Sequence, residues 1–266
     1  MLARRTGRGV RVILLALCHL IWVSALISCA SPEPVSTSAT GPEHRHLAVP
    51  SGEQLDYLRY PSKGERLLVW VSSERDQAEA ERKAASELAR RGIEVWMLDL
   101  SFSYFLDADR KGFDKVPAAD MQALLKLAEQ QKRPIVFAVG RAAVPILKAF
   151  GSWTRNEGRP AHLEYVLMHP NLYEEAEALQ DVRYLDFGDL NGAQLLILQP
   201  RRSAGVVWLD RQSEALQRQG AEVKNEILEQ LREGYWARQE PTAYEIEMGQ
   251  HLADLIWDRL SKENRY

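Results

Sequence analysis

From His44 onward, short apolar runs alternate with segments whose apolar residues recur at helical spacing. His44 to Val49 and Leu55 to Tyr60 flank Pro50-Ser51-Gly52-Glu53, a turn-rich break that predicts an antiparallel hairpin. Arg66 to Val71 and Ile93 to Leu100 are apolar runs of the buried-strand type. Between them, Gln77 to Arg91 carries Ala78, Ala84, Ala85, Leu88 and Ala89 on one helical face and stops at Gly92. Pro117 opens another helix, on which Met121, Leu124, Leu125 and Ala128 share a face. A strand ending at Val139 precedes a short Ala-rich helix, and Leu163 to Met168 and Gln194 to Leu198 are further strands. Trp208 to Gln219 reads as a helix ended by Gly220, Glu222 to Leu228 as the last strand, and Thr242 to Leu260 as the closing helix. This order predicts an α/β domain: a mostly parallel sheet with helices on both faces, an antiparallel N-terminal hairpin and no large lid. Right-handed crossovers then gather the functional loops at the carboxyl ends of the strands.

The first residues follow a different rule. Arg4, Arg5, Arg8 and Arg11 precede an almost wholly apolar stretch, Val12 to Ile27, which is the basic and hydrophobic layout of a secretory signal. Leu26-Ile27-Ser28-Cys29 closes it and resembles a bacterial lipobox, which implies cleavage before Cys29 and acylation of that cysteine. Ala30 after the cysteine resembles the sorting signal of outer-membrane lipoproteins. The expected organisation is a signal peptide over 1–28, a disordered Ser/Thr/Pro-rich tether over 29–43 and one folded domain over 44–266. The expected address is the bacterial cell envelope, on the periplasmic face of the outer membrane. Losing the four leader arginines with no acid takes the formal charge from −3 to −7. A mildly acidic surface with no basic stripe argues against nucleic-acid binding. No cysteine follows Cys29, so the domain has no internal disulfide, thiolate metal site or cysteine nucleophile.

One stretch carries most of the functional information. Pro134-Ile135-Val136-Phe137-Ala138-Val139-Gly140-Arg141-Ala142-Ala143-Val144 is a strand that ends at a glycine, followed at once by a small-residue helix start. This resembles the nucleophile elbow of the α/β-hydrolase superfamily, whose Gly-x-Ser-x-Gly motif sits at a sharp strand-to-helix turn. Matched on Gly140, the motif puts Ala142 in the nucleophile position and Val144 in the second glycine position. The resemblance implies a nucleophile, an acid and a histidine in that order along the chain. The acid position falls in Leu198-Gln199-Pro200-Arg201-Arg202-Ser203-Ala204-Gly205, which has no carboxylate. No histidine stands between Leu228 and Tyr244, and Ser72-Ser73-Glu74-Arg75 replaces the usual oxyanion-loop glycines. The chain is thus expected to be a catalytically degenerate member. Asp99-Leu100-Ser101-Phe102-Ser103-Tyr104-Phe105-Leu106 and Pro117 are faintly similar to an envelope virulence-protein branch of the superfamily.

The same face could bind. Arg141 lies in the turn, Arg201 and Arg202 leave a neighbouring strand, His169 and Tyr173 follow another, and Tyr235 lies in the loop expected to carry the histidine. Guanidinium groups and aromatics suit a small anionic ligand or an envelope protein. The alternative for the arginines is pairing with Asp186, Asp189 or Glu233 to tie loops together. Two other functions stay open: a hydrolase using an unconventional serine (Ser73, Ser101 or Ser203), and a structural envelope protein with a filled cleft. No cofactor is expected. Asp107, Asp109 and Asp114 lack the glycine and distal Glu of a calcium loop, and His44 with His46 makes only two metal ligands.

Overall fold

A computed structural model describes residues 41–72, 78–106, 112–158, 160, 163–174 and 182–262. The expected lipidation site Cys29, most of the expected tether, Ser73, Asp107 and Asp109 lie outside the described residues. An eight-stranded sheet has the order β1-β2-β4-β3-β5-β6-β7-β8. The opening hairpin is β1 (Glu43–Ala48) and β2 (Gln54–Tyr60), and β2 pairs antiparallel with β4 (Ile93–Leu98). β3 (Arg66–Val71), β5 (Arg133–Val139), β6 (Glu164–Met168), β7 (Gln194–Arg202) and β8 (Glu222–Arg232) continue it in parallel with β4.

Alternation along the central strands divides the core in two. Leu67, Val69, Val71, Val136 and Ala138 face α3 (Ala118–Gln131) and α4 (Ala143–Glu157). Leu68, Trp70, Ile135, Phe137 and Val139 face α1 (Glu79–Arg90) and α7 (Leu252–Lys262). Strands buried on both sides must be apolar at every position, so they are continuous apolar runs in the sequence. A one-turn α2 (Leu100–Ser103) follows β4, capped by Asp99 Oδ1 accepting from the Phe102 amide at 2.9 Å. α5 (Leu209–Arg218) precedes β8, and α6 (Ala243–Gln250) precedes α7.

Three expectations need correction. The strand expected to reach Leu100 stops at Leu98, because Asp99 caps a helical turn there. The closing helix is two helices that part at His251. Gly249, a poor helix former, lies against Trp236, and a Cβ built on it would come within 3.5 Å of Trp236 Cα. β7 and β8 run four residues past their expected ends, with the register shifted between Pro200 and Arg202 and Gln230 at φ 61°. The added residues, Gln199 to Arg202 and Glu229 to Arg232, are mostly polar, so no apolar run marks them. Arg201 and Arg202 therefore sit on a strand and do not leave one.

Candidate functional site

Residues that follow β3, β6 and the edge strand β8 come together at the carboxyl side of the sheet, through Glu81, His169, Glu233 and Trp236. β5 ends at Val139, and Gly140 then takes φ 58° before the chain turns into α4. A left-handed backbone costs an L-residue about 1–2 kcal/mol, and glycine escapes it. Gly140 is thus the apex of the turn. Ala142, expected there, has φ −60° and ψ −15°, ordinary helical values, and is buried. The elbow is Ala138-Val139-Gly140-Arg141-Ala142, two residues earlier than the motif match on Gly140 placed it. Small residues still flank the apex on both sides, but the apex itself carries no side chain. Gly140 is therefore the apex glycine and not the flanking first glycine of the motif.

His169 leaves β6 beside that apex. Met168 pairs with Val139 across the two strands, and the Asn171 amide donates to the Gly140 carbonyl at 3.2 Å. His169 has φ 39°, is 8% exposed, and neither ring nitrogen has a hydrogen-bond partner. Burial pushes its pKa down, with the nearby Glu233 carboxylate opposing, so the ring is held toward its neutral form. Glu233 Oε1 stands 3.6 Å from His169 Nδ1.

Trp236 bridges the site. Its ring lies 5.9 Å from the His169 ring, and its Nε1–H donates to Glu81 Oε1 at 3.2 Å. Glu81 belongs to α1, after β3, and His169 follows β6. In the sheet, β5 lies between those two strands. Tyr235 packs edge-on against Trp236 at 4.9 Å with its hydroxyl buried and unpartnered, and burial pushes its pKa up.

Glu81 also accepts from the Ala78 amide at 3.1 Å and from Ser72 Oγ at 3.4 Å. Desolvation outweighs these donors and pushes its carboxyl up to about 7. Below the ordinary carboxylate pKa this acid is neutral whether folded or unfolded. Between about pH 4.5 and 7 the unfolded chain releases the proton first, so stability falls as pH rises, by about 3 kcal/mol in all. Glu81→Gln is expected to flatten that decline in urea-unfolding midpoints measured from pH 5 to 8. An unchanged slope would contradict the assignment.

The expected arginine cluster does not form. Arg141 is 5% exposed and turns away to the loop before α3. Its Nε donates to Asp114 Oδ1 at 2.9 Å, its Nη2 to Asp114 Oδ2, and its Nη1 to the Tyr173 carbonyl at 2.5 Å. Arg201 pairs with Glu229 on β8 at 2.7 Å, exposed, and Arg202 is exposed beside it. The arginines tie loops and strands, but not through the acids expected. Asp186 and Asp189 accept from the amides of Gly188 and Asn191 within their own turns. Tyr173 makes a short antiparallel bridge with Tyr184. Of the ligand candidates, Arg141 belongs to the turn but is bound to Asp114 and to the Tyr173 carbonyl, and His169 and Tyr235 both pack on Trp236. Ser103 accepts from the Asp56 amide and donates to the Asp99 carbonyl, and Ser203 donates to the Pro200 carbonyl, so both are engaged in local structure. Among the described residues no group of three or more His, Cys, Asp or Glu is placed to hold a metal ion.

Ser72 and Glu81 escaped the sequence reading as site residues. Glu81 stands three positions after the helix boundary at Ala78, where a capping carboxylate belongs, and nothing local marks it as buried.

No protein-family model and no curated protein sequence matches the chain. Solved structures do. An inferred dienelactone hydrolase from Klebsiella pneumoniae subsp. pneumoniae superposes with a TM-score of 0.56 at 14% identity, over 85% of this chain and 100% of that one. The Pyrobaculum calidifontis esterase gives 0.57 at 12% identity, over 82% and 86%. Thermogutta terrifontis esterase 2 gives 0.56 at 12% identity, over 84% and 95%. The chain has the α/β-hydrolase fold. At such identities the likeness is one of fold.

Proposed function

We propose that this is a non-catalytic, lipid-anchored protein of the bacterial envelope that uses the α/β-hydrolase fold as a scaffold, its former catalytic face filled by its own side chains. The observation that carries the reading is Gly140 at the elbow apex, where a nucleophile would need a side chain. The acid position after β7 has no carboxylate before Asp210, and the loop after β8 carries Glu233, Tyr235 and Trp236 where a histidine is usual. Arg141, a ligand candidate from sequence, is consumed by Asp114, so a small anion at the elbow is not favoured. Inertness toward a fluorophosphonate tests the reading.

A second reading has one observation behind it. Ser72 Oγ faces the Glu81 carboxyl, whose pKa of about 7 suits a general base. An unconventional serine hydrolase would rest there, and Ser72→Ala would abolish its labelling.

Anchoring rests on the apolar leader ending at Cys29. Two or more acyl chains hold a domain stably, since each buried methylene contributes about 0.8 kcal/mol. Cys29→Ser is expected to abolish palmitate labelling and release the protein from membranes. Labelling and retention that survive the substitution would contradict the anchor.

A further inference from the structure

We infer that the carboxyl end of the sheet, led by Phe102 and Phe105 at α2, is the face that rests on the bilayer to which Cys29 ties the chain. The inference rests on the anchoring proposed above and deepens it by giving the domain an orientation. Five large apolar side chains are exposed among the described residues: Phe102, Phe105, Val207, Tyr244 and Ile246. Phe102 and Phe105 follow β4, and Val207 follows β7. Tyr244 and Ile246 lie on α6, which Glu245 binds to Arg232 at the end of β8. β4, β7 and β8 run in one direction through the parallel part of the sheet, so all five stand at its carboxyl end. Exposed apolar residues scattered singly carry no message, but a set confined to one end marks an interaction surface.

Phe105 is exposed at a cost to the fold. Its side chain is 85% exposed and its backbone holds φ 49°. The Phe105 amide donates to the Phe102 carbonyl at 3.3 Å and the Leu106 amide to the Ser101 carbonyl at 3.0 Å. These are the two bonds of a Schellman helix end, whose left-handed position glycine normally fills. Phe102, 65% exposed, precedes it by three residues on the same turn. Ser103 accepts from the Asp56 amide, and the Tyr104 hydroxyl donates to Asp120, buried in α3. The turn is thus pinned from below and both rings are held out in solvent.

The tether sets what lies within reach. β1 is antiparallel to β2, and β2 to β4, so β1 runs with β4 and Glu43 opens it at the amino end of the sheet. Fourteen residues take the chain from Cys29 to Glu43, a contour of at most about 50 Å. A six-residue strand spans about 20 Å, so the carboxyl end can reach the bilayer while the chain stays anchored. The net charge of −7 left after leader removal gives no attraction to an anionic surface, so the contact is apolar. A few exposed rings bind a bilayer weakly alone, and the tether raises their effective concentration at its surface.

The test places a nitrobenzoxadiazole probe on Phe105→Cys in the full chain carrying Cys18→Ser, reconstituted in phosphatidylcholine vesicles with a nitroxide on the lipid acyl chains. The same probe on Lys63→Cys, exposed between β2 and β3 at the amino end, is the control. Quenching at position 105 is expected to exceed that at position 63 by about fivefold or more, as for a group buried at the acyl boundary. Equal quenching, or none at position 105, in chain that floats with the vesicles would overturn the inference. To exclude insertion driven by the probe itself, it is moved to Ser101→Cys, where Phe102→Ser with Phe105→Gly should abolish the quenching. Quenching that survives this pair would also overturn the inference. Phe105→Gly relieves the backbone and should raise the melting temperature by about 2 °C. A lowered melting temperature would show that Phe105 serves the fold, against the inference. No quenching at position 105, with a dimer that the pair dissociates, would give the rings to a second copy of this chain instead. Palmitate incorporation on the same preparation reads the anchor separately. If none is found, the anchoring reading fails, and the probe is read in Cys29→Ser chain held by a carboxyl-terminal His tag on nickel-chelating lipid. Quenching at position 105 there upholds the face, and its absence overturns it.

Discussion

Glu94→Ala is expected to cost about 3–5 kcal/mol of stability, enough to remove much of the stability of an ordinary domain. Glu94 is 1% exposed in the middle of the β2–β4–β3 region. It accepts from Arg59 Nε at 2.7 Å, from Arg59 Nη2 at 3.2 Å and from Trp96 Nε1 at 2.8 Å, and Lys132 Nζ lies at 2.9 Å. Burial alone would raise its pKa, but Arg59, Lys132 and Trp96 prevail and hold the carboxyl down at about 2. Removing the acid leaves the Trp96 indole N–H without its acceptor and takes the carboxylate from Arg59, which keeps only Glu43 at 3.3 Å, and from Lys132, which keeps only the carbonyls of Ser62 and Gly64. The sign of the pH effect follows: this stability is present above the unfolded pKa near 4.5 and is lost as pH falls toward 2. Urea unfolding at pH 7 and pH 3 should show a large gap between native chain and variant at the higher pH and a narrower one at the lower. A loss under 1 kcal/mol at pH 7 would contradict the assignment.

Arg141→Ala is the second large effect, expected at about 3 kcal/mol. The guanidinium is nearly buried and ties the elbow to Asp114 and to the carbonyls of Asn171 and Tyr173. Its loss leaves a carboxylate and two carbonyls short of a donor. For a domain of this size, about 3 kcal/mol lowers the melting temperature by about 10 °C. Arg201→Ala makes the control, since Arg201 pairs with Glu229 on the exposed face of a strand and should leave the melting temperature nearly unchanged. Calorimetry of both variants, with and without phosphate, separates a loop tie from an anion site. Equal small shifts with phosphate-dependent stabilisation of the native chain would restore the arginines as ligands.

Legibility in the sequence tracked burial. β3, β4, β5 and β6 are apolar on both faces, and their runs mark them within one or two residues. The mostly polar ends of β7 and β8 were hidden, because strands held there by backbone pairing to each other need no apolar pattern. Glu94 was hidden differently: one acid inside an apolar run looks like an exposed position, while its partners Arg59 and Lys132 lie 35 and 38 residues away. At the elbow, the strand, turn and helix were legible, but the register was not. A motif that begins with glycine fits Gly140 as its first member, and only the backbone angle shows that Gly140 is the apex. His169 looked ordinary alone, because the Glu233 and Trp236 contacts that distinguish it come from a loop more than sixty residues later.

The most direct measurement is incubation of the native full-length chain with an alkyl fluorophosphonate, followed by intact mass determination. Without a side chain at Gly140, the expected result is no covalent adduct, at concentrations and times that fully label a serine hydrolase control. A stoichiometric adduct on the native chain, abolished by Ser72→Ala, Ser73→Ala, Ser101→Ala or Ser203→Ala, would contradict the scaffold reading and establish a serine nucleophile away from the elbow.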